Sequence, residues 1–143
     1  MEVADRLAIE ELYARYCVAL DTGDEAGWVA TFTEDGEFYS RRGLVRAHEE
    51  LAEYHRSRMA ARDTEPYTNP QHWNANLILQ GQPPEVHGFA YVMRTGKMRS
   101  DGSIQIVIAG AYRDVIRKVD GRWLFARRRV SFDWMPHTEI WKD

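Results

Sequence analysis

Several features are scarce or absent in this sequence, and each absence excludes a class of protein. The 143 residues include a single cysteine, Cys17, which excludes an intrachain disulfide and favours a reducing compartment. No stretch approaches about 18 consecutive apolar residues, so no membrane-spanning helix is predicted. The N-terminal residues have neither the basic segment nor the apolar core of a signal peptide. We therefore expect no signal peptide and a cytoplasmic protein.

An excess of charge of either sign is also missing. The chain has 19 Lys and Arg against 22 Asp and Glu, a formal net charge of −3, which argues against nucleic-acid or acidic-membrane partners. The basic run Arg127–Arg129 is too short to reverse that expectation. With 44% hydrophobic residues and five tryptophans, the chain can bury a substantial core. Its length predicts one domain over residues 1–143.

Motifs for cofactors and metals are missing as well. The sequence has no GxGxxG, no P-loop and no GxSxG segment. His48-Glu49 begins like a zinc-protease motif, but Ala52 stands where the second histidine would be. No group of His, Cys and Asp has metal-ligand spacing. We therefore predict neither a metal nor an organic cofactor.

The first half of the chain has helical periodicity. From Asp5 to Leu20 the apolar residues recur every 3.6 positions, which predicts an amphipathic helix. Asp24 is a good N-cap for a short second helix carrying Trp28, Val29 and Phe32. A turn at Thr33–Gly36, a short strand at Glu37–Tyr39 and a third helix at Leu44–Ala60 are predicted to follow.

The second half reads as strands. A loop at Arg62–Gln71 precedes predicted strands at His72–Leu79, Val86–Arg94, Ile104–Val119 and Arg122–Trp134. Asp120-Gly121 is a strong hairpin signal, and Gly110 indicates a bulge or bend. Helices followed by an antiparallel meander predict an α+β class. Long bent strands around one helix would form a cone whose apolar interior could hold a ligand.

Three residues stand out as candidates for chemistry. Asp21 ends the first helix, where the negative end of the macrodipole disfavours a carboxylate, and such unsupported positions are typical of functional sites. Tyr16 lies five residues earlier, on the apolar stripe, and His72 opens the first long strand. A carboxylate beside a histidine can transfer protons. The alternatives are a solvated helix end, a core tyrosine and a structural or surface histidine.

Several segments together resemble a known superfamily. The order of elements and the local signals are similar to those of NTF2-like proteins, and more narrowly to the SnoaL-like branch, over residues 5–134. The segments concerned are Ile9–Tyr16, Ala19–Asp24, Trp28–Gly36, His72–Leu77, Tyr112–Trp123 and Arg127–Arg129. The resemblance implies three N-terminal helices packed in a strongly curved, mostly antiparallel sheet.

The same resemblance implies a reaction. The spacing of Tyr16, Asp21 and His72 resembles that of scytalone dehydratase-like, bile-acid 7α-dehydratase-like and hexachlorocyclohexane dehydrochlorinase-like enzymes. It implies that His72 removes a proton from carbon, that Asp21 orients the imidazole, and that Tyr16 hydrogen-bonds a carbonyl or leaving group. The expected function is a cofactor-independent lyase or isomerase acting on a small hydrophobic molecule.

Five further residues are candidates for substrate binding. Arg128 matches in position an arginine that lines the dehydrochlorinase pocket, and in the last strand it shares an apolar face with Leu124, Ala126, Val130 and Phe132. A charge on such a face is either pocket-lining or paired, and a bulge would turn it outward. Tyr13 is on nearly the same face as Tyr16, and Asn74 is on the face of His72. Trp28 and Phe132 are core residues or pocket walls.

Other functions stay open at this point. The same fold serves non-catalytic binders and subunits resembling the β subunit of aromatic-ring dioxygenases. Polyketide cyclases and epoxide hydrolases also occur in the superfamily, and Asp21 with Arg128 could form part of an Asp-Arg-Asp arrangement. The C-terminal tail is unusually apolar, which predicts packing on a second copy in a homo-dimer or homo-trimer. Its apolar residues are Phe132, Trp134, Met135, Ile140 and Trp141.

Overall fold

A computed structural model of the chain describes residues 1–133 and 136–141. Helices dominate the first 60 residues and strands dominate the rest, as the periodicity predicts. The helices are α1 (Val3–Thr22), α2 (Glu25–Val29) and α3 (Ala47–Ala60). The strands are β1 (Phe32–Ser40), β2 (Gly43–Arg46), β3 (Tyr67–Gln82), β4 (Glu85–Met98), β5 (Ile104–Val119) and β6 (Arg122–Ser131).

The six strands form one curved sheet in the order β2-β1-β6-β5-β4-β3. From β3 to β6 each strand is antiparallel to the next, which confirms the meander, whereas β1 joins β6 in parallel. Every pairing except that of β1 with β2 contains a register shift, and such bulges bend strands. Helices α1 and α3 pack against this sheet, so the predicted α+β class is confirmed.

Helix α1 carries the predicted apolar stripe into the core. Ile9, Leu12 and Tyr16 on this stripe are all buried. The helix continues two residues past the predicted end at Leu20 and stops at Gly23, whose φ of 80° is the left-handed conformation that favours glycine at a helix end. Asp21 therefore lies in the last turn of α1, beside the sheet.

Two local expectations differ from the structure near β1. The predicted turn at Thr33–Gly36 lies within the bounds of β1, but none of these four residues pairs with β6, because the register shift between Phe32 and Glu37 leaves them as a bulge. Phe32 consequently begins β1 instead of ending α2. Helix α3 begins at Ala47 and not at Leu44, because residues 44–46 pair with β1 in a hairpin.

Strand bounds in the second half differ most where bulges occur. Strand β5 has the predicted bounds, but β3 begins at Tyr67, inside the predicted loop, with a register shift that accommodates Pro70. Strand β6 ends at Ser131, before Trp134, which lies outside the described residues. Gly110 pairs in register with Val92 and makes no bulge. A Cβ there would lie 2.3 Å from the Ser131 carbonyl oxygen, so this glycine permits close approach of the chain after β6.

The C-terminal segment that is described returns to the chain's own sheet. The Trp141 ring lies 6.4 Å from the Phe89 ring, centroid to centroid, and Arg113 Nη1 donates a hydrogen bond to the Glu139 carbonyl. Trp134 and Met135, which contribute to the predicted tail interface, lie outside the described residues. The described part of the tail is therefore partly covered by its own protomer.

Candidate functional site

Two adjoining cavities lie between the sheet and the ends of α1 and α3. The larger, of about 550 Å³, has an apolar wall drawn from the helices and from β1, β4, β5 and β6. This wall includes Leu20, Phe38, Val92, Ile108, Tyr112 and Val130. The smaller, of about 290 Å³, contains Asp21 in its wall, and His72 lines both cavities. A cavity that combines an apolar wall with several polar groups is typical of a small-molecule site.

Asp21 and His72 are in direct contact. Asp21 Oδ1 lies 2.5 Å from His72 Nδ1, and Asp21 Oδ2 accepts a hydrogen bond of 2.7 Å from the backbone N–H of the same histidine. The two side chains are only 14% and 12% exposed. A carboxylate on Nδ1 places the ring proton there, so Nε2 carries a lone pair that can accept a proton.

Tyr16 lines the larger cavity together with His72. Its side chain is almost fully buried among aromatic rings, including those of Trp28 and Phe32. Burial raises the pKa of the Tyr16 hydroxyl well above its usual value, against the opposing effect of nearby Arg128. The hydroxyl therefore stays protonated near neutral pH and can donate a hydrogen bond.

Arg128 and Tyr13 belong to a buried cluster behind the cavity wall. Arg128 Nε and Nη2 donate to the two carboxylate oxygens of Asp114 at 2.9 and 2.8 Å, and the Tyr13 hydroxyl donates to Asp114 as well. Four aromatic rings pack around the guanidinium, each centroid within 4.6 Å of its central carbon. Both charged side chains are 0% exposed. Of the two roles considered for Arg128, pocket-lining or paired with an opposite charge, the structure has the second, and Arg128 lines neither cavity.

The Arg128 contact with Asp114 depends on a bulge in β6. The pairing of β5 with β6 has a register shift between Phe125 and Arg127. Because of this bulge, Arg128 points to the interior, on the opposite face of the strand from Leu124. The prediction that Leu124 and Arg128 share one continuous face of the strand is therefore wrong. Asp114 was not among the candidate residues, because an unbulged hairpin does not place it opposite Arg128.

The remaining candidate residues divide between core and cavity. Asn74 Nδ2 donates to the Tyr13 carbonyl and to Cys17 Sγ, so its side chain joins β3 to α1 and does not line either cavity. Trp28 is fully buried in the aromatic core. Phe132 lines the larger cavity, as expected of a pocket wall.

A group of arginines at the cavities was missed by sequence reasoning. Arg94 and Arg58 line both cavities, beside Tyr67 and Glu65. A signal for Arg94 existed, because antiparallel pairing of the first two predicted long strands brings their outer ends, His72 and Arg94, together. No comparable signal existed for Arg58, whose position depends on how α3 packs.

Two kinds of feature are not found among the described residues. No three His, Cys, Asp or Glu side chains in residues 1–133 and 136–141 come together as a metal site would require. No helix in this part of the chain has the length and apolar character needed to cross a membrane.

The curved sheet, the enclosed helix α1 and the cavity between them define an NTF2-like α+β protein. Residues 1–129 match the SnoaL-like domain family, and the chain belongs to that family. No curated protein matches the sequence.

Solved structures of several proteins have the same fold. A variant of Rv3472 from Mycobacterium tuberculosis, a protein of unknown function, is 27% identical with a TM-score of 0.81, over 95% of this chain and 75% of that one. A hexachlorocyclohexane dehydrochlorinase is 21% identical with a TM-score of 0.77, over 92% and 87% of the two chains. A putative scytalone dehydratase from Novosphingobium aromaticivorans is 20% identical with a TM-score of 0.73, over 94% and 91%. Likeness at these identities shows that the fold is shared, and it does not show that the reaction is shared.

Proposed function

We propose that this protein is a cofactor-independent lyase or isomerase that acts on a small apolar molecule, with His72 as general base. The observation that carries the proposal is the Asp21–His72 contact, whose histidine lines a cavity with one apolar wall. A carboxylate and a histidine in contact, both mostly shielded from water, are the arrangement that general-base catalysis needs. The similar structures include a dehydrochlorinase and a putative dehydratase, and both names describe eliminations of this class.

The proposed reaction begins with proton transfer. Nε2 of His72 takes a proton from a substrate carbon, and the electron pair of the broken C–H bond moves into the substrate. In an elimination, this pair forms a double bond as hydroxide or halide leaves from the neighbouring carbon. In an isomerisation, the proton returns to a different carbon. Asp21 stabilises the imidazolium formed, as carboxylates do in related pairs.

Tyr16 has the second role in the proposal. Its protonated hydroxyl donates to the substrate oxygen or leaving group on which negative charge develops. General acid–base catalysis by one group contributes about 10²–10⁴-fold, so the apolar wall must supply the rest of the rate by positioning the substrate. An epoxide-hydrolase mechanism through Asp21 and Arg128 receives no support, because Arg128 is fully buried and lines neither cavity, whereas Asp21 contacts His72.

The test is turnover of a substrate panel by wild-type protein and a His72→Ala variant. Cyclic β-hydroxy ketones and chlorinated cyclohexanes are incubated with each protein, and mass spectrometry follows loss of water or of hydrogen chloride. We expect wild type to convert at least one compound and His72→Ala to be at least about 100-fold slower. His137→Ala, which alters an exposed histidine, is the matched control and should retain full activity. Equal turnover by His72→Ala would exclude His72 as the general base. No turnover by wild type would favour a binding protein or a dioxygenase β-like subunit.

We also propose that the protein forms a homo-dimer or homo-trimer through the outer face of its sheet. Trp73, Tyr91, Met93 and Ile106 on β3, β4 and β5 are between 37% and 62% exposed, and strand register places them on one face. An exposed apolar patch of neighbouring side chains is typical of an interface between chains. Sedimentation velocity at about 1–100 µM protein should give a dimer or trimer, because an oligomer with a Kd of about 1 µM or less is populated at these concentrations. Tyr91→Glu should shift it to monomer, and a wild-type monomer throughout would refute the proposal.

A further inference from the structure

Arg94 is the direct cross-strand neighbour of His72. The two residues face each other in the antiparallel pairing of β3 with β4, so their side chains leave the sheet on the same side. Side chains so paired have Cβ atoms about 4.5–5.5 Å apart. Both residues line both cavities. A permanent positive charge therefore stands beside the proposed general base.

The guanidinium of Arg94 has unused hydrogen-bonding capacity. Its Nη2 donates to the Tyr67 hydroxyl, and its central carbon lies 5.3 Å from the centre of the Tyr67 ring. Its Nε is buried and has no hydrogen-bond partner. Among the residues that the structure describes, no carboxylate forms a salt bridge with Arg94. A buried donor without an acceptor is unfavourable, and an acceptor that enters the cavity would satisfy it.

The larger cavity carries an excess of positive charge. Four arginines line it, whereas Glu65 is the single carboxylate residue among its lining residues. Glu65 is already paired with Arg58 at 3.5 Å. The whole chain has a net charge of −3, so this local excess runs against the overall balance. Arginines that converge on a partly enclosed apolar space attract an anion and strengthen its binding.

We propose that the substrate is an amphipathic carboxylic acid whose carboxylate is bound by Arg94 beside His72. The planar guanidinium presents several N–H donors in a fixed plane, which suits the two oxygens of a carboxylate. The apolar body of the acid then lies against Val92, Ile108 and Val130. This inference rests on the proposed function, since it names the substrate class of the same site.

The test compares acids with their uncharged isosteres in binding experiments that need no turnover. Cyclohexanecarboxylate, 2-naphthoate and 9-anthracenecarboxylate, each with its primary amide, are titrated into the protein by isothermal titration calorimetry. We expect at least one acid to bind at least tenfold more tightly than its amide. In Arg94→Gln that ratio should fall to about one, and Arg94→Lys should keep part of it, because lysine retains the charge but loses the planar set of donors.

Matched controls separate this idea from a general effect of charge and from the proposed reaction. Arg122→Gln removes an exposed arginine at the β5–β6 turn and should leave the ratio unchanged. The acid preference should also persist in His72→Ala, so a failure of the proposed dyad would leave this result intact. Amides that bind as tightly as acids, an unchanged ratio in a folded Arg94→Gln variant, or no binding by any pair would overturn the proposal.

Discussion

Replacing Asp114 with asparagine is expected to destabilise the folded protein by about 3–5 kcal/mol. The Asp114 carboxylate balances the charge of fully buried Arg128 through two hydrogen bonds and also accepts one from Tyr13. Asparagine has nearly the same shape but carries no charge and offers one acceptor oxygen. The guanidinium would then remain buried among aromatic rings without a counter-charge, which is the costly half of a broken buried ion pair.

Urea unfolding monitored by tryptophan fluorescence would measure this loss. The control is Asp120→Asn in the β5–β6 hairpin, where Asp120 has a φ of 49° that asparagine adopts readily, so a change within about 0.5 kcal/mol is expected. The double variant Asp114→Leu with Arg128→Met should recover much of the stability, because it leaves no unpaired buried charge. An unchanged unfolding midpoint in Asp114→Asn would show that the ion pair contributes little to the fold.

Replacing Asp21 with asparagine is expected to lower kcat/KM by about 10²–10⁴-fold. Asp21 accepts hydrogen bonds from both the backbone N–H and the ring Nδ1 of His72. If the asparagine oxygen keeps the backbone bond, its NH₂ group faces Nδ1, and that nitrogen must accept instead of donate. The ring proton then moves to Nε2, which loses the lone pair that the proposed reaction uses.

The measurement is steady-state kinetics with whichever substrate the panel identifies, together with a thermal unfolding curve for each variant. Asp24→Asn is a close control, since Asp24 lies three residues away and caps α2 by accepting from the Gly27 N–H at 2.9 Å. Asparagine caps helices as well as aspartate does, so this variant should keep its activity. Full activity in a folded Asp21→Asn protein would exclude the orienting role of the carboxylate.

Much of the fold could be predicted because local patterns and global pairing agree. The apolar stripe of α1, the Asp120-Gly121 hairpin and both ends of β5 follow from periodicity and turn chemistry. The segments that failed are those in which pairing overrode local preference. Residues 44–46 were expected to begin the third helix, yet their antiparallel pairing with β1 holds them in a strand.

The site was only partly predictable for the same reason. Asp21 and His72 could be connected because a resemblance linked two residues that are far apart in sequence. The Arg128–Asp114 pair could not be predicted, since an unbulged hairpin places Arg113 opposite Arg128. One bulge in β6 changes that partner to Asp114. Cavity walls also depend on how α3 packs against the sheet, which no local pattern encodes.

The double use of the Asp21 carboxylate limits how this protein can diversify. One group holds the last turn of α1 to β3 and also sets the direction of the His72 ring. A substitution that shifts α1 along the sheet would re-aim the imidazole at the same time. New substrate preferences are therefore reached more readily through walls that do not touch this contact. Arg41 and Arg42 between β1 and β2, and Arg58 on α3, are such positions. Their replacement would alter the charge of the larger cavity and leave the orientation of the His72 ring unchanged.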